Sequence, residues 1–203
     1  MVTIGVSPLF ASVCINIKIS RYSMEIFLEL FDKIGFLGPV ILNITSGYLL
    51  WDKQTLFFYY IFGVCFDVLL NLVLKGLIQM PRPSENIQTF NLALTHGKRF
   101  LFKNGMPYDI FGMPSGHAQS VFFSTLFIYC ALKKKYILYG YLLMSLIVTS
   151  QRVFFMHHTP LQVFVGAVVG GGLGVFVYYL ARLNMKGHIT EKLDDFGPLS
   201  VGF

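Results

Sequence analysis

Three short stretches of the sequence hold side chains that could do chemistry together. Lys75 is followed after six residues by Arg82, Arg152 is followed after five residues by His158, and Pro114–His117 reads Pro-Ser-Gly-His. Together they offer three cations, one hydroxyl group and two imidazoles. Three positive charges close together favour a negatively charged ligand. Phosphate suits them, because arginine presents planar donors that match the phosphate oxygens and lysine adds a point charge.

The middle stretch stands where an apolar run begins, within "FGMPSGHAQ". A helix that starts after Ser115 and Gly116 leaves backbone N–H groups free to point at the same anion, and glycine lets the backbone approach closely. His117 and His158 can divide leaving-group protonation and nucleophilic attack between them. No carboxylate cluster accompanies these residues, so we predict charge stabilisation by the cations, with no metal and no cofactor.

The composition indicates a membrane protein. Of the 203 residues 55% are hydrophobic and 13% are charged, whereas soluble proteins average roughly 25% charged residues. The net charge of +6 is spread over loops. That distribution excludes a basic nucleic-acid-binding module and suits contact with anionic lipids or phosphorylated substrates. Cys14, Cys65 and Cys130 are far apart and form no CxxC or Cys/His pattern, so neither a disulfide framework nor a zinc site is predicted.

Five apolar runs approach the length of about 20 residues that a helix needs to cross a bilayer. They are Gly35–Trp51, Thr55–Leu74, Ala118–Leu132, Tyr136–Ser150 and Leu161–Leu180. A separate amphipathic helix over Tyr22–Lys33 is expected at the membrane interface. We therefore predict an all-α integral membrane bundle of about five or six helices. It would be a single domain over 1–203, with an N-terminal interfacial segment 1–34, a helical core 35–182 and a C-terminal tail 183–203.

If each run crosses the membrane in turn, the three polar stretches meet at one membrane face. The second run ends at Lys75, and the third begins near His117 after a loop of about forty residues, a length that usually carries function. The third run leaves the opposite face at Lys133–Lys135, and the fourth returns at Arg152. A polar phosphate site is therefore expected at one face of the bundle.

The three stretches resemble the motifs of the type 2 phosphatidic acid phosphatase superfamily, whose pattern is K-x6-R-P, then P-S-G-H, then S-R-x5-H-x3-D. The resemblance covers 75–162 and implies a membrane phosphatase acting on lipids. By that resemblance His117 is the general acid and His158 is the nucleophile that forms a phosphohistidine. The residues implied to bind the phosphate are Lys75, Arg82, Ser115, Gly116 and Arg152.

Two positions depart from that pattern. Gln151 stands where the pattern has Ser, and Gln162 stands where it has Asp. Glutamine can accept a hydrogen bond but brings no charge. The stretches "FGMPSGHAQ" and "HHTPLQVFVG" are similar to the dolichyldiphosphatases, which carry G-M-P-S-S-H-x-Q and Y-H-T-x-x-Q-V. In that branch glutamine is the native residue, so Gln162 joins the implied catalytic residues. The implied substrate is a polyprenyl diphosphate, cut to the monophosphate and inorganic phosphate.

Two other functions stay open. One is a broader lipid phosphate phosphatase that acts on phosphatidate or undecaprenyl diphosphate. The other is a catalytically silent membrane protein that binds lipid phosphates. Short basic segments near span ends tend to stay cytoplasmic, and Lys133–Lys135 lies opposite the motifs. We therefore expect a multi-pass protein whose site faces the lumen or the cell exterior, in the endoplasmic reticulum if the cell is eukaryotic.

Three further features have structural interpretations. Asp67 lies inside an apolar run, where a polar packing contact with Asn71 is favoured over a functional role. His157 falls outside the motif spacing and is expected to be an interfacial residue. The run Gly170–Gly172 lies in an apolar span and is expected to serve helix packing rather than to bind phosphate.

Overall fold

The computed structural model describes residues 8–103 and 105–185. This part of the chain forms six helices and one short antiparallel hairpin. The elements are α1 (Pro8–Leu49), α2 (Gln54–Ile78), α3 (Ile87–Thr95), β1 (Phe100–Lys103), β2 (Met106–Asp109), α4 (Gly116–Leu132), α5 (Lys135–Phe154) and α6 (Pro160–Leu183). The predicted membrane helix bundle is confirmed, and the hairpin is an addition to it.

Three helices in the described ranges are long and apolar enough to cross a membrane, namely α2, α5 and α6. Helix α4 has 17 residues, at the lower end of the range that a bilayer core requires. It lies in the middle of the bundle and packs against α1, α2, α5 and α6. Because α4 lies in the middle of the bundle, its polar N-terminal residues are surrounded by the other helices.

Glycines of α6 bring its backbone close to α4. A side chain at Gly166 would come within 2.5 Å of the Ser115 carbonyl oxygen, and one at Gly170 would overlap the Gln119 carbonyl. Such small residues spaced four apart allow close helix contact in membranes. The interpretation of the glycine run as helix packing is confirmed for Gly170, whereas Gly172 faces open space.

Helix α1 differs from the predicted division of the N-terminal region. It is continuous from Pro8 to Leu49, so the expected boundary between residues 34 and 35 falls inside one helix. Pro39 lies within it and removes a single backbone donor without ending the helix. The first seven residues of the expected interfacial segment, and the expected tail beyond Met185, lie outside the described residues.

The connection between α2 and α4, expected as a long loop, is folded. Asn86 caps α3 by accepting a hydrogen bond from the Gln88 backbone N–H at 2.8 Å. In β1 and β2, Phe100 pairs with Asp109. A small apolar core joins these elements, and its buried members are Phe90, Ala93, Ile110 and Phe111. The helix cap and the core explain why this segment is ordered over the end of the bundle.

Candidate functional site

The three polar stretches are joined by hydrogen bonds at one end of the bundle. The backbone N–H of Ser115 donates to the carbonyl oxygen of Gln162 at 3.0 Å. The side-chain Nε2 of Gln162 donates to the carbonyl oxygen of Pro81 at 2.8 Å. Gln162, four residues after the third stretch, therefore holds the backbone of the first and the second. The convergence that span counting predicts is present in the structure.

Gln162 is fully buried and uses both ends of its amide. Its Oε1 accepts from the Thr159 backbone N–H at 3.1 Å, and Thr159 Oγ1 accepts from the Gln162 N–H at 3.2 Å. This reciprocal pair is a capping box at the start of α6. Gly112 packs on the same amide, because a Cβ there would lie 2.8 Å from its nitrogen. An aspartate could not donate to Pro81, so the glutamine suits this site better than the acid of the family pattern.

His158 is held in one tautomer. Its Nδ1 lies 2.9 Å from the Gly112 carbonyl oxygen and 3.2 Å from Gln162 Oε1. Both oxygens only accept, so Nδ1 carries the proton and Nε2 keeps a free lone pair. Burial and the positive charges of Arg82 and Lys75 lower the pKa of His158 to about 3. The imidazole is therefore neutral at neutral pH and able to act as a nucleophile.

The cations of the first stretch surround a carboxylate that sequence reasoning missed. Asp109 Oδ2 lies 3.5 Å from Lys75 Nζ and 2.9 Å from Arg99 Nη2. Arg82 Nε donates to the Asp109 carbonyl oxygen at 3.0 Å. Burial raises the pKa of the Asp109 carboxyl, but the hydrogen bond from Arg99 and the charge of Lys75 outweigh it and hold the pKa below its ordinary value. The signal in the sequence was its position, six residues before Ser115 at the end of a long loop.

Two buried donors at this end of the bundle have no hydrogen-bond partner among the described residues. They are Ser115 Oγ and Arg152 Nε. Ser115 is fully buried and stands just before α4, and its hydroxyl does not cap that helix. Leaving a buried donor unpaired costs about 1–3 kcal/mol. Two such donors beside a helix N-terminus are therefore suited to receive an anion.

Helix α1 completes the surroundings of His117 and Arg152. The Nε2–H of His117 donates to the Phe36 carbonyl oxygen at 3.2 Å. The Phe36 ring lies 5.7 Å from the Arg152 guanidinium carbon. Asp32 Oδ1 accepts a hydrogen bond from Gln151 Nε2 at 2.6 Å. Sequence reasoning left α1 out of the site, because the side of a long apolar helix that docks cannot be read from its own pattern.

The remaining polar candidates have other partners. Gln119 joins Asp67 and Asn71, donating to Asp67 Oδ1 at 2.9 Å and accepting from Asn71 Nδ2 at 2.8 Å. Asn71 also donates to the Pro114 carbonyl oxygen at 3.3 Å. His157 is half-buried, with its ring 6.4 Å from that of Phe155. Across residues 8–103 and 105–185, no three His, Cys, Asp or Glu side chains gather into a set that could hold a metal ion.

The chain matches a protein-family model. The model described as the PAP2 superfamily matches residues 56–186, which is more than half of the chain. The matched range begins in α2, ends just beyond α6 and includes all three polar stretches. No curated protein and no solved structure matches the chain significantly.

Proposed function

We propose that this chain, which belongs to the PAP2 superfamily, is a phosphatase that hydrolyses a lipid phosphate without a metal ion. The preferred substrate is a polyprenyl diphosphate of the dolichyl type, cleaved to the monophosphate and inorganic phosphate. The observation that carries this proposal is the imidazole of His158. Its Nδ1 donates to the Gly112 carbonyl, which leaves Nε2 free beside a group of cations at the end of a membrane bundle.

In the first step His158 Nε2 attacks the terminal phosphorus. A nitrogen–phosphorus bond forms and the bond to the bridging oxygen breaks. Once the negative charge of the diphosphate lies beside it, His117 carries a proton on both ring nitrogens; it keeps Nε2–H on the Phe36 carbonyl and gives its Nδ1 proton to the leaving lipid phosphate. The product of this step is a phosphohistidine, and His117 is left neutral.

In the second step neutral His117 takes a proton from a water molecule, and the water oxygen attacks the phosphorus. The nitrogen–phosphorus bond breaks, which releases inorganic phosphate and restores His158. Negative charge on the transferring group is stabilised throughout by prearranged donors. We assign this role to Lys75, Arg82, Arg152, the Ser115 hydroxyl and the Gly116 backbone N–H.

The preference for a polyprenyl diphosphate rests on the glutamine residues shared with the dolichyldiphosphatase pattern. Gln162 orients His158 and ties it to Pro81. Gln119 joins Asp67 of α2 to the first turn of α4. Both side chains are fully buried and hydrogen-bonded in ways that aspartate or a hydrophobic residue could not reproduce.

Purified protein in detergent with EDTA tests the activity. We expect release of phosphate from a polyprenyl diphosphate faster than from phosphatidate, and none from the His158→Ala variant. Equal rates on both lipids would favour a broad lipid phosphate phosphatase. Tight binding of both lipids without release of phosphate would instead indicate a silent lipid-phosphate binder.

We further propose that the site faces the lumen or the cell exterior, in the endoplasmic reticulum of a eukaryotic cell. The basic segment Lys133–Lys135 lies in the short connection between α4 and α5, opposite the site, where basic residues favour the cytoplasmic side. Cysteines at Lys98 and Lys134 test this in a variant without native cysteines. An impermeant maleimide should label Lys98→Cys from outside and Lys134→Cys only after permeabilisation, and the reverse pattern would place the site in the cytoplasm.

A further inference from the structure

An apolar groove lies beside the proposed site, between α5 and α6. Its volume is about 620 Å³, and Phe31 of α1 and Phe122 of α4 complete its wall. Every residue that lines it is uncharged. The volume falls within the range of roughly 300–1,000 Å³ that is typical of small-molecule sites in proteins.

The groove and the site share the ends of the same two helices. Val153 in the groove directly follows Arg152, and Pro160 in the groove stands two residues after His158. From Pro160 the groove continues along α6 to Ala167, a distance of about 10 Å along the helix axis. The end of the groove at Val153 and Pro160 therefore adjoins the residues proposed to bind and attack the phosphate.

The rim of the groove faces the surroundings of the bundle. Phe154 and Phe164 line it and are 64% and 65% exposed. Both helices that carry them are long and apolar enough to cross a membrane, so the rim opens toward lipid. A long chain can occupy the groove with its first part and continue into the bilayer with the rest.

We propose that this groove binds the part of the isoprenoid chain that adjoins the diphosphate. The proposal rests on the proposed function for its headgroup site. Contact with apolar side chains stabilises hydrocarbon. The polar side chains in the described lining are Thr149 and Ser150, and neither carries a charge that would bind a phosphate headgroup. The cations for the headgroup lie in the adjoining site, so the chain and the phosphates of one lipid are bound by neighbouring parts of α5 and α6.

A pair of tryptophan variants on α6 tests the groove by kinetics. Ala167→Trp fills the groove, whereas Val168→Trp places the same side chain at the next residue, which does not line the groove and is 58% exposed. We expect Ala167→Trp to lower kcat/KM at least tenfold for a long polyprenyl diphosphate. Turnover of dimethylallyl diphosphate, which has too short a chain to fill the groove, should change less than twofold. Val168→Trp should change neither.

Loss of activity on both substrates in Ala167→Trp, or on neither, would overturn the assignment. An equal loss with Val168→Trp would also do so, because it would indicate a general effect on α6. These outcomes leave the wild-type hydrolysis of the long substrate intact, so they separate failure of the groove from failure of the proposed function.

A photolabel tests occupancy without hydrolysis. A polyprenyl monophosphate with a diazirine on its first isoprene units should label α5 and α6 of the His158→Ala protein, and Ala167→Trp should reduce that labelling severalfold. Excess unlabelled polyprenyl monophosphate should displace it, and excess phosphatidylcholine should not. Displacement by phosphatidylcholine would identify a structural phospholipid, and labelling spread evenly over α2 would reject the groove. Displaceable labelling in a wild-type protein that cleaves no lipid phosphate would retain the groove and reject the proposed function.

Discussion

Two clusters of buried polar side chains lie about one helical turn apart on α4, where the Gln119 N–H donates to the Ser115 carbonyl oxygen, and they differ in how their hydrogen bonds are used. In the interior of the bundle Asp67, Gln119 and Asn71 bond to one another. At the end of the bundle Ser115 Oγ and Arg152 Nε are buried without a partner among the described residues. Both clusters contain groups that are costly to bury, but only the second leaves donors open to a ligand.

The two clusters differ in a way that distinguishes polar side chains that stabilise a membrane bundle from polar side chains that bind a ligand. A polar group that bonds within the protein stabilises the packing of helices, whereas an unpartnered donor beside other cations indicates where an anion is bound. The distinction needs the surrounding charges as well. Arg182 Nε is also without a hydrogen-bond partner among the described residues, but it lies at the opposite end of α6 from Lys75, Arg82 and Arg152.

The largest effect is expected at His158, the group proposed to react at the open cluster. His158→Ala should lower kcat by about 10⁴-fold or more, because the nucleophile is removed. His157→Ala is the matched control and should retain most of the activity. Rates of phosphate release from the polyprenyl diphosphate measure both. An inactive His157 variant beside an active His158 variant would show that the wrong histidine has been assigned.

A pair of serine variants contrasts the two kinds of buried hydroxyl directly. Ser115→Ala should lower kcat by about 10²-fold, as for loss of one transition-state donor, with no loss of stability because its hydroxyl has no hydrogen-bond partner among the described residues. Ser145 hydrogen-bonds to Thr125 at 2.9 Å, so Ser145→Ala should cost about 1 kcal/mol of stability and leave kcat unchanged. Phosphate release and thermal unfolding in detergent measure the two effects. A Ser115→Ala protein that is less stable but releases phosphate as fast as wild type would contradict the distinction between the two clusters.

Gln119 tests the interior cluster. Gln119→Leu removes the donor to Asp67 and the acceptor for Asn71, so we expect the free energy of unfolding to fall by about 1–3 kcal/mol. Unfolding in detergent by increasing denaturant gives this value, with Ser120→Ala on the neighbouring residue as the control. A Gln119→Leu protein as stable as wild type would mean that the interior bonds contribute no net stability.

The smallest effect is expected at Gln162. Gln162→Met keeps the volume and removes the acceptor for His158, but the shorter bond to the Gly112 carbonyl remains. We expect a loss of about 1 kcal/mol in transition-state stabilisation, or roughly fivefold in kcat. Steady-state kinetics measure it, with the larger truncation Gln162→Ala beside it. A loss as large as that of His158→Ala would show that Gln162 takes part in the chemistry itself.

The sequence alone was enough for the class of fold and for the expectation that the three polar stretches meet at one end of the bundle. Apolar runs identify membrane helices because a bilayer core demands a length that soluble proteins rarely use. The spacing from Lys75 to Arg82 places both residues near the end of one helix, and the spacing from Arg152 to His158 does the same at another helix. Neither inference requires knowledge of how the helices pack. Alternating the runs across the membrane then places these stretches and Ser115 at one face.

Only the tertiary structure decided which groups surround those residues. The carboxylate of Asp109 reaches Lys75 and Arg99 through the folded hairpin, and α1 brings Phe36 to His117. The hydrogen bond from Gln162 Nε2 to the Pro81 carbonyl oxygen also joins distant parts of the chain. Such contacts depend on the rotation of each helix and the path of each connection. Helix rotation follows from packing between side chains far apart in sequence, which a local pattern of residues does not encode.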